Sequence, residues 1–194
     1  MYRPDGIVQV VSETRERLLR AAGNVIHRDG VRALTLESVA RAAGVSKGGL
    51  LYHFSNKRAL IEAMAQARVA EVRVAMEHHH ERNPGTGPMT SYVTSLDTAP
   101  DTHLDTALWA AAIEDPEAVT AFRQAFAEFQ RTVRTSTADP TMATLVRLAC
   151  DGLWLTELVG LDVLEPDERT SVMQRMLALA AESADHPVDE EVRR

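Results

Sequence analysis

The sequence predicts an all-α protein of about nine helices, in which an N-terminal three-helix helix-turn-helix domain precedes a larger C-terminal helical domain. Apolar residues recur at helical spacing through most of the chain, and no strand-like alternation runs longer than a few residues. Three pairs of an acidic residue and a proline also mark helix starts in the second half, because a first-turn proline loses no hydrogen bond and the acid before it can cap. These pairs are Asp115-Pro116, Asp139-Pro140 and Glu165-Pro166.

The composition is that of an ordinary globular chain. Its 194 residues are 45% hydrophobic and 25% charged, enough to bury a core. No apolar run approaches the roughly 20 residues that cross a bilayer, and the N-terminus lacks the pattern of a secretory signal. A lone cysteine, Cys150, excludes an internal disulfide framework. We therefore expect a cytoplasmic protein that has no membrane partner.

Charge is distributed unevenly between the two parts of the chain. Residues 1–60 hold ten basic and five acidic residues, a net charge of +5, whereas residues 61–194 carry a net charge of −12. Both lysines, Lys47 and Lys57, lie in the basic part. A small basic segment joined to a larger acidic one suggests a module that binds polyanions such as nucleic acid.

Four helices are predicted in the first part of the chain. The first covers residues 13–29, where apolar side chains recur at helical spacing, and Gly30 ends it. Thr35 is placed to cap a short second helix, and Ser46 a third that runs to about residue 54. Asn56 then caps a long fourth helix that continues to about residue 81.

Three residues within these helices have the spacing of a helix-turn-helix. Ala40 is the small residue needed where two helices cross, Gly44 permits the positive φ of a tight turn, and Leu50 is the apolar anchor of the second helix. The same three residues are compatible with a plain helical hairpin in a bundle. The basic charge of the segment favours the DNA-binding interpretation.

A linker rich in proline and glycine, residues 82–88, separates the two parts. After it we predict five helices, over residues 89–97, 101–114, 116–137, 140–161 and 166–184. The charged tail, residues 185–194, and the start of the chain are expected to be disordered.

The stretch Thr35 to Leu60, TLESVARAAGVSKGGLLYHFSNKRAL, resembles the DNA-binding domain of the TetR family of transcriptional regulators. The sequence departs from the family at Leu51, where the family more often has tyrosine, and at Ser55, where it more often has proline. Tyr52 comes one position later, about 100° around the helix, so the role of the family's phosphate-contacting tyrosine does not transfer to it.

The resemblance implies a DNA-binding domain at residues 1–56, an effector-binding and dimerisation domain at residues 57–184, and the tail. It also implies a repressor that binds a palindromic double-stranded operator as a homodimer and is released by a small organic effector. The alternative is a DNA-binding protein without such an effector, in an architectural or activator role.

Eight residues are candidates for DNA contact. The third helix should enter the major groove, where Lys47 is placed for a base edge or a phosphate and bare glycines permit close approach of the backbone. Lys57 resembles the family lysine that meets phosphate, and helix N-termini attract phosphate oxygens. The full set is Thr35, Ser46, Lys47, Gly48, Gly49, Tyr52, His53 and Lys57.

Two further sets lie in the C-terminal part. The resemblance implies an effector cavity among the central helices, although an aromatic stripe is also typical of a core. The candidate effector residues are His103, Trp109, Phe122, Phe126, Arg147, Cys150 and Trp154. Stripes of small and apolar residues suit a four-helix dimer interface, although they also suit packing within one chain. The candidate interface residues are Ala149, Gly152, Thr156, Val159, Val172, Met176, Leu179 and Ala180.

No motif in the sequence indicates catalysis, a metal or a cofactor. Glycine-rich phosphate loops and nucleophile motifs do not occur. The run His78 to His80 cannot hold one ion while helical, because successive side chains point about 100° apart. We therefore expect neither an enzyme nor a metal or cofactor site.

Overall fold

The computed structural model describes residues 4–98, 105, 108–109, 116–158, 160–161 and 164–184. Within them the fold is all-α, as predicted, with eight α-helices and no strand. The α-helices are α1 Pro4–Asp29, α2 Leu36–Ala43, α3 Lys47–His53, α4 Lys57–Arg82, α5 Pro88–Thr98, α6 Thr120–Ser136, α7 Pro140–Leu158 and α8 Pro166–Ala184. Most of the predicted helix over residues 101–114 lies outside the described residues, as does the tail.

The helix bounds differ from the predicted ones in three places. The helix predicted over residues 116–137 starts with a 3₁₀ turn, Pro116–Val119, and α6 begins only at Thr120, because such tighter turns are frequent at helix N-termini. Helix α1 begins at Pro4 rather than near residue 13, so the expected disordered start is wrong for residues 4–12. Proline is a favourable first helical residue because its missing N–H would have no partner there. Helix α7 ends at Leu158 rather than at residue 161, because Gly160 adopts φ 67° and the N–H of Leu161 turns back to the carbonyl of Thr156 at 3.0 Å.

The chain divides into two compact units. Unit 1 comprises the described residues of 1–69 and 101–123, and unit 2 those of 70–100 and 124–194. Helix α4 therefore begins in unit 1 and ends in unit 2. The predicted functional division at residue 57 falls at the start of this helix, and it stays a prediction.

The core of unit 1 joins the first four helices to part of the later segment. Leu18, Leu50 and Leu60 are completely buried, and Leu108 and Val119 pack in the same cluster. The unit that contains the predicted helix-turn-helix is thus completed by residues far along the sequence.

A buried ion pair also joins α4 to that later segment within unit 1. The Nε of Arg68 donates to Oδ1 of Asp105 at 2.6 Å, and both side chains are nearly inaccessible to solvent. Paired charges tolerate such burial, whereas either one alone would be costly there. The pair fixes this part of α4 against the residue at 105.

The core of unit 2 is built from α5, α6, α7 and α8. It is rich in sulfur, since Met89, Cys150 and Met176 are buried in one cluster, and the Cys150 thiol lies 3.6 Å from the Met176 sulfur. Flexible, polarizable methionines fill irregular gaps in a chain with few aromatic residues. Among the described residues, no helix is long and apolar enough to cross a bilayer.

Candidate nucleic-acid interface

Helix α2 begins with a capping box. Thr35 Oγ1 accepts a hydrogen bond from the Ser38 N–H at 3.0 Å, and Ser38 Oγ accepts one from the Thr35 N–H at the same distance. These bonds satisfy helix-end donors that would otherwise lack partners. The predicted capping role of Thr35 is confirmed, and its contact with phosphate stays a prediction.

The turn between α2 and α3 has the geometry that the sequence predicts. Gly44 adopts φ 66°, ψ 32°, a left-handed conformation that glycine reaches without strain. The Val45 N–H returns to the carbonyl of Ala40 at 2.9 Å. Ala40 and Leu50 are both buried, as the helix-turn-helix requires.

Helix α3 has one buried face and one outward face. Leu50 and the following Phe54 anchor it in the core, while Ser46 caps it by accepting from the Gly49 N–H at 3.0 Å. The outward face, which we define as the exposed residues Lys47, Gly48, Leu51 and Tyr52, carries a charge, a bare backbone, an apolar side chain and a phenol.

The two glycines of α3 differ in what surrounds them. A Cβ at Gly49 would lie 3.3 Å from Ser46 Oγ, so a side chain there would crowd the cap. A Cβ at Gly48 would meet nothing closer than the same oxygen at 4.0 Å. The capping contact therefore accounts for Gly49, whereas Gly48 costs helix stability with no neighbour that requires it.

Lys47 is held by an acidic residue that sequence reasoning had not connected with it. Its ammonium group forms an ion pair with the carboxylate of Glu37, in the first turn of α2. The hydrogen bond from Lys47 lowers the pKa of Glu37. Because both side chains remain well exposed, Lys47 can exchange this partner for a phosphate or a base edge.

The remaining candidates surround the end of α3. Tyr52 is 77% exposed, and its ring meets that of His53 edge-on at 5.3 Å. Lys57 is the first residue of α4, next to Asn56, whose side-chain oxygen accepts from the Ala59 N–H at 2.9 Å. All eight predicted DNA-contact residues thus lie on or beside α2, α3 and the start of α4.

The predicted effector residues are not gathered in one compact unit. Trp109 and Phe122 belong to unit 1, and His103 lies outside the described residues. The other four belong to unit 2: Phe126, Arg147, Cys150 and Trp154.

A polar cluster in unit 2 contains Arg147 and two residues that sequence reasoning missed. Arg147 Nη1 donates to Oδ2 of Asp151 at 2.9 Å, and the Tyr92 hydroxyl donates to Oδ1 of Asp151 at 2.6 Å. Burial raises the pKa of Asp151, against the opposing effects of Tyr92 and Arg147. Burial and the charge of Asp151 raise the pKa of Tyr92 well above its usual range. The separation of 59 residues between Tyr92 and Asp151 leaves no local signal in the sequence.

The residues predicted for the dimer interface divide into exposed and buried groups. Ala149, Gly152 and Val172 are exposed, and Thr156 and Leu179 are half-buried. Met176 and Ala180 lie in the core of unit 2, so they support α8 from within rather than face a partner. Val159 lies outside the described residues.

Both parts of the chain match family models. Residues 18–64 match the one described as "Bacterial regulatory proteins, tetR family". Residues 88–181 match the one described as "Tetracyclin repressor-like, C-terminal domain".

Two curated relatives resemble the N-terminal part. The HTH-type transcriptional regulator TtgR of Pseudomonas putida is 38% identical over 52 residues, which are 27% of this chain and 25% of the relative. The tetracycline repressor protein class A from transposon 1721 of Escherichia coli is 43% identical over 54 residues, 28% of this chain and 25% of the relative. The matched segment thus spans only a quarter of the length of each relative.

Solved structures resemble nearly the whole chain. A member of the TetR family from Streptomyces coelicolor is 24% identical with a TM-score of 0.63, and the match covers 86% of this chain and 98% of the other. The fatty acid degradation regulator FadR from Bacillus halodurans is 15% identical with a TM-score of 0.68, covering 90% and 97%. These likenesses establish the fold.

Proposed function

This chain belongs to the TetR family of transcriptional regulators, and we propose that it represses transcription by binding a palindromic operator as a homodimer and that a small organic effector releases it. The outward face of α3 carries the proposal. That face combines Lys47 with a glycine, Gly48, that the protein's own packing does not require. A bare backbone beside a cation suits close approach to the edge of a base pair in the major groove.

Each candidate residue takes a role in this interface. Lys47 leaves Glu37 to contact a base edge or a phosphate, and Lys57 contacts phosphate at the start of α4. Thr35 and Ser46 present helix N-termini to phosphate oxygens. Gly49 keeps the Ser46 cap in place. Tyr52 and His53 extend the contact along the phosphate backbone of the DNA, where they fix the position of the protein but carry little sequence information.

An exposed apolar stripe on α7 supports the homodimer. Leu145 is 56% and Leu148 52% exposed, and Gly152 follows on the same face at helical spacing. Val172 of α8 is exposed as well. Apolar patches of this kind often mark interfaces, and small residues such as Gly152 allow helices to approach closely. A second copy of the chain, related by a two-fold axis, is the partner that a palindromic operator requires.

Unsatisfied polar atoms in unit 2 support an effector site. Within the described part of the chain, the Nε of Arg147 and the Oε1 of Gln130 are buried and have no hydrogen-bond partner. Buried polar groups are normally paired, so a polar ligand atom at either position would gain a hydrogen bond without displacing a protein partner. We propose that Arg147, with the aromatic Phe126 and Trp154 of the same unit, contacts the effector.

Operator binding tests the proposal directly. Duplexes selected from a random library should contain an inverted repeat whose half-sites are about one helical turn, roughly 34–36 Å, or a multiple of it apart. The full palindrome should bind far more tightly than an isolated half-site. Equal affinity for the two would refute the dimeric mechanism. Strongly salt-dependent binding without sequence preference would favour an architectural role.

The dimer face has its own test. Leu148→Glu places a charge on the proposed interface and should give a monomer in analytical ultracentrifugation. This variant should bind the full palindrome no more tightly than an isolated half-site. Val74→Glu is the matched control, because Val74 is a similarly exposed apolar residue on α4. A Leu148→Glu protein that remains dimeric would contradict the assignment of this face.

A further inference from the structure

Leu51 is an exposed apolar side chain on the outward face of α3. It is 41% exposed, whereas Leu50, the residue before it, is completely buried. Among the described side chains that precede α4, only Leu51 and Tyr52 are large, apolar and exposed. Tyr52 has a hydroxyl group for a polar partner, and Leu51 has none. The residue therefore needs an apolar partner if this surface is covered.

The neighbours of Leu51 on α3 leave it accessible. Side chains of a helix lean toward its N-terminus, so Leu51 extends over the turn that contains Gly48, three residues earlier. Gly48 has no side chain, and the atom nearest to the position that its Cβ would occupy is Ser46 Oγ, at 4.0 Å. Leu51 and the bare backbone of Gly48 together form a short apolar strip, with Lys47 at its N-terminal end.

The chemistry of the major groove limits what this strip can contact. Base edges there present hydrogen-bond donors and acceptors, and the one methyl group that projects from them is the C5-methyl of thymine. A leucine placed against a phosphate or against a donor or acceptor would remove that group from water and give no hydrogen bond in return. The thymine methyl alone matches the side chain.

We propose that Leu51 is a base-reading residue, which recognises the C5-methyl of one thymine in each half-site of the operator. Leu51 lies four residues after Lys47, about 6 Å along the helix axis at roughly 1.5 Å per residue. Base pairs are about 3.4 Å apart, so the thymine lies within about two base pairs of the position that Lys47 contacts. The proposal rests on the proposed function, because it presumes that α3 enters the major groove.

Replacing thymine by deoxyuridine tests this contact, because it removes the methyl group and leaves every hydrogen-bonding group in place. An operator selected by the wild-type protein is resynthesised with deoxyuridine at each thymine in turn, at symmetric positions in both half-sites. One position should weaken wild-type binding about four-fold per half-site, the value expected for one buried methyl-sized group, and therefore about fifteen-fold for the pair. Leu51→Ala should bind the thymine and deoxyuridine operators equally well at that position.

Control variants separate base reading from general damage. Leu51→Met keeps a long apolar side chain and should retain most of the sensitivity to deoxyuridine. Val74→Ala, which truncates an exposed residue of α4, should retain all of it. Both Leu51 variants should melt close to the wild-type temperature, because the side chain is exposed.

The outcomes distinguish this inference from the proposed function. If the operator binds tightly but no thymine shows a deoxyuridine effect that depends on Leu51, the assignment of Leu51 is wrong and the regulator stands. If selection yields no preferred sequence at all, the proposed operator binding fails, and this inference fails with it.

Discussion

Replacing Gly48 with alanine should stabilise the protein and weaken its binding to DNA. The new Cβ would meet no atom closer than Ser46 Oγ at 4.0 Å, so the folded state accepts it without strain. Alanine in a helix is more favourable than glycine by roughly 0.5–1 kcal/mol. For a chain of this length, that gain should raise the melting temperature by about 1–4 °C.

The same methyl group would lie between the backbone of α3 and the DNA. Specific interfaces pack as densely as protein interiors at their centre, and an extra methyl group in a well-packed region costs about 1–3 kcal/mol. We therefore expect operator affinity to fall by about five- to 150-fold per half-site, because each 1.4 kcal/mol is roughly a factor of ten, and by the square of that factor for the palindrome. Fluorescence anisotropy with a labelled operator measures this loss, and a circular-dichroism melt measures the stability.

Gly44→Ala provides the contrast, because it changes another glycine of the same motif. Gly44 has φ 66°, a conformation that costs an alanine roughly 1–2 kcal/mol, so this variant should melt at a lower temperature than the wild type. A Gly48→Ala protein that melts higher and binds the operator as tightly as the wild type would refute the argument that the backbone at Gly48 approaches the DNA.

Three further predictions concern Glu37 in unit 1 and Tyr92 and Cys150 in unit 2. Glu37→Gln releases Lys47 and removes a negative charge from the interface, so binding to a scrambled duplex should strengthen and the preference for the operator should fall; an unchanged preference would argue against a role for the pair. Tyr92→Phe removes a hydrogen bond to the partly buried carboxylate of Asp151, so urea titration at about pH 7 should show that the free energy of unfolding falls by about 1.5–3 kcal/mol. Because the pKa of Tyr92 is raised in the folded protein, the folded state keeps the phenol proton at a pH where the unfolded chain loses it, and this stabilisation is lost as the pH rises above about 10. The difference in unfolding free energy between wild type and Tyr92→Phe should therefore narrow above that pH. A difference that stays constant would contradict the hydrogen bond as its cause. Burial and the nearby Asp151 raise the pKa of Cys150 to about 12, so iodoacetamide at about pH 8 should modify the native protein far more slowly than the urea-unfolded chain, and equal rates would contradict the burial.

Local signals explain why so much of the DNA-binding segment follows from the sequence. The Thr35 cap, the left-handed Gly44 and the Ser46 cap each depend on residues within a few positions of one another. A helix-turn-helix is specified by such short-range chemistry, so its bounds and its core residues are readable directly from the chain.

Contacts between distant residues could not be predicted in this way. Arg68 and Asp105 are 37 residues apart, Tyr92 and Asp151 are 59 apart, and no periodicity relates them. The pairing of Lys47 with Glu37 depends on the crossing of two short helices, which sequence spacing alone does not fix.

The dimer stripe illustrates a different limit. Helical periodicity identifies residues that share a face, but it does not say whether that face meets the chain's own core or a partner. Ala149 and Gly152 are exposed, whereas Met176 and Ala180 are buried in unit 2. Only the packing of α7 and α8 distinguishes these cases.

Methylation interference on the selected operator tests the central claim most directly, because dimethyl sulfate methylates guanine N7 in the major groove and adenine N3 in the minor groove. If α3 enters the major groove twice, methylated guanines should block binding at two symmetric clusters about ten base pairs apart, or a multiple of that spacing. Interference confined to adenines, or to a single cluster, would contradict the entry of two α3 helices into the major groove.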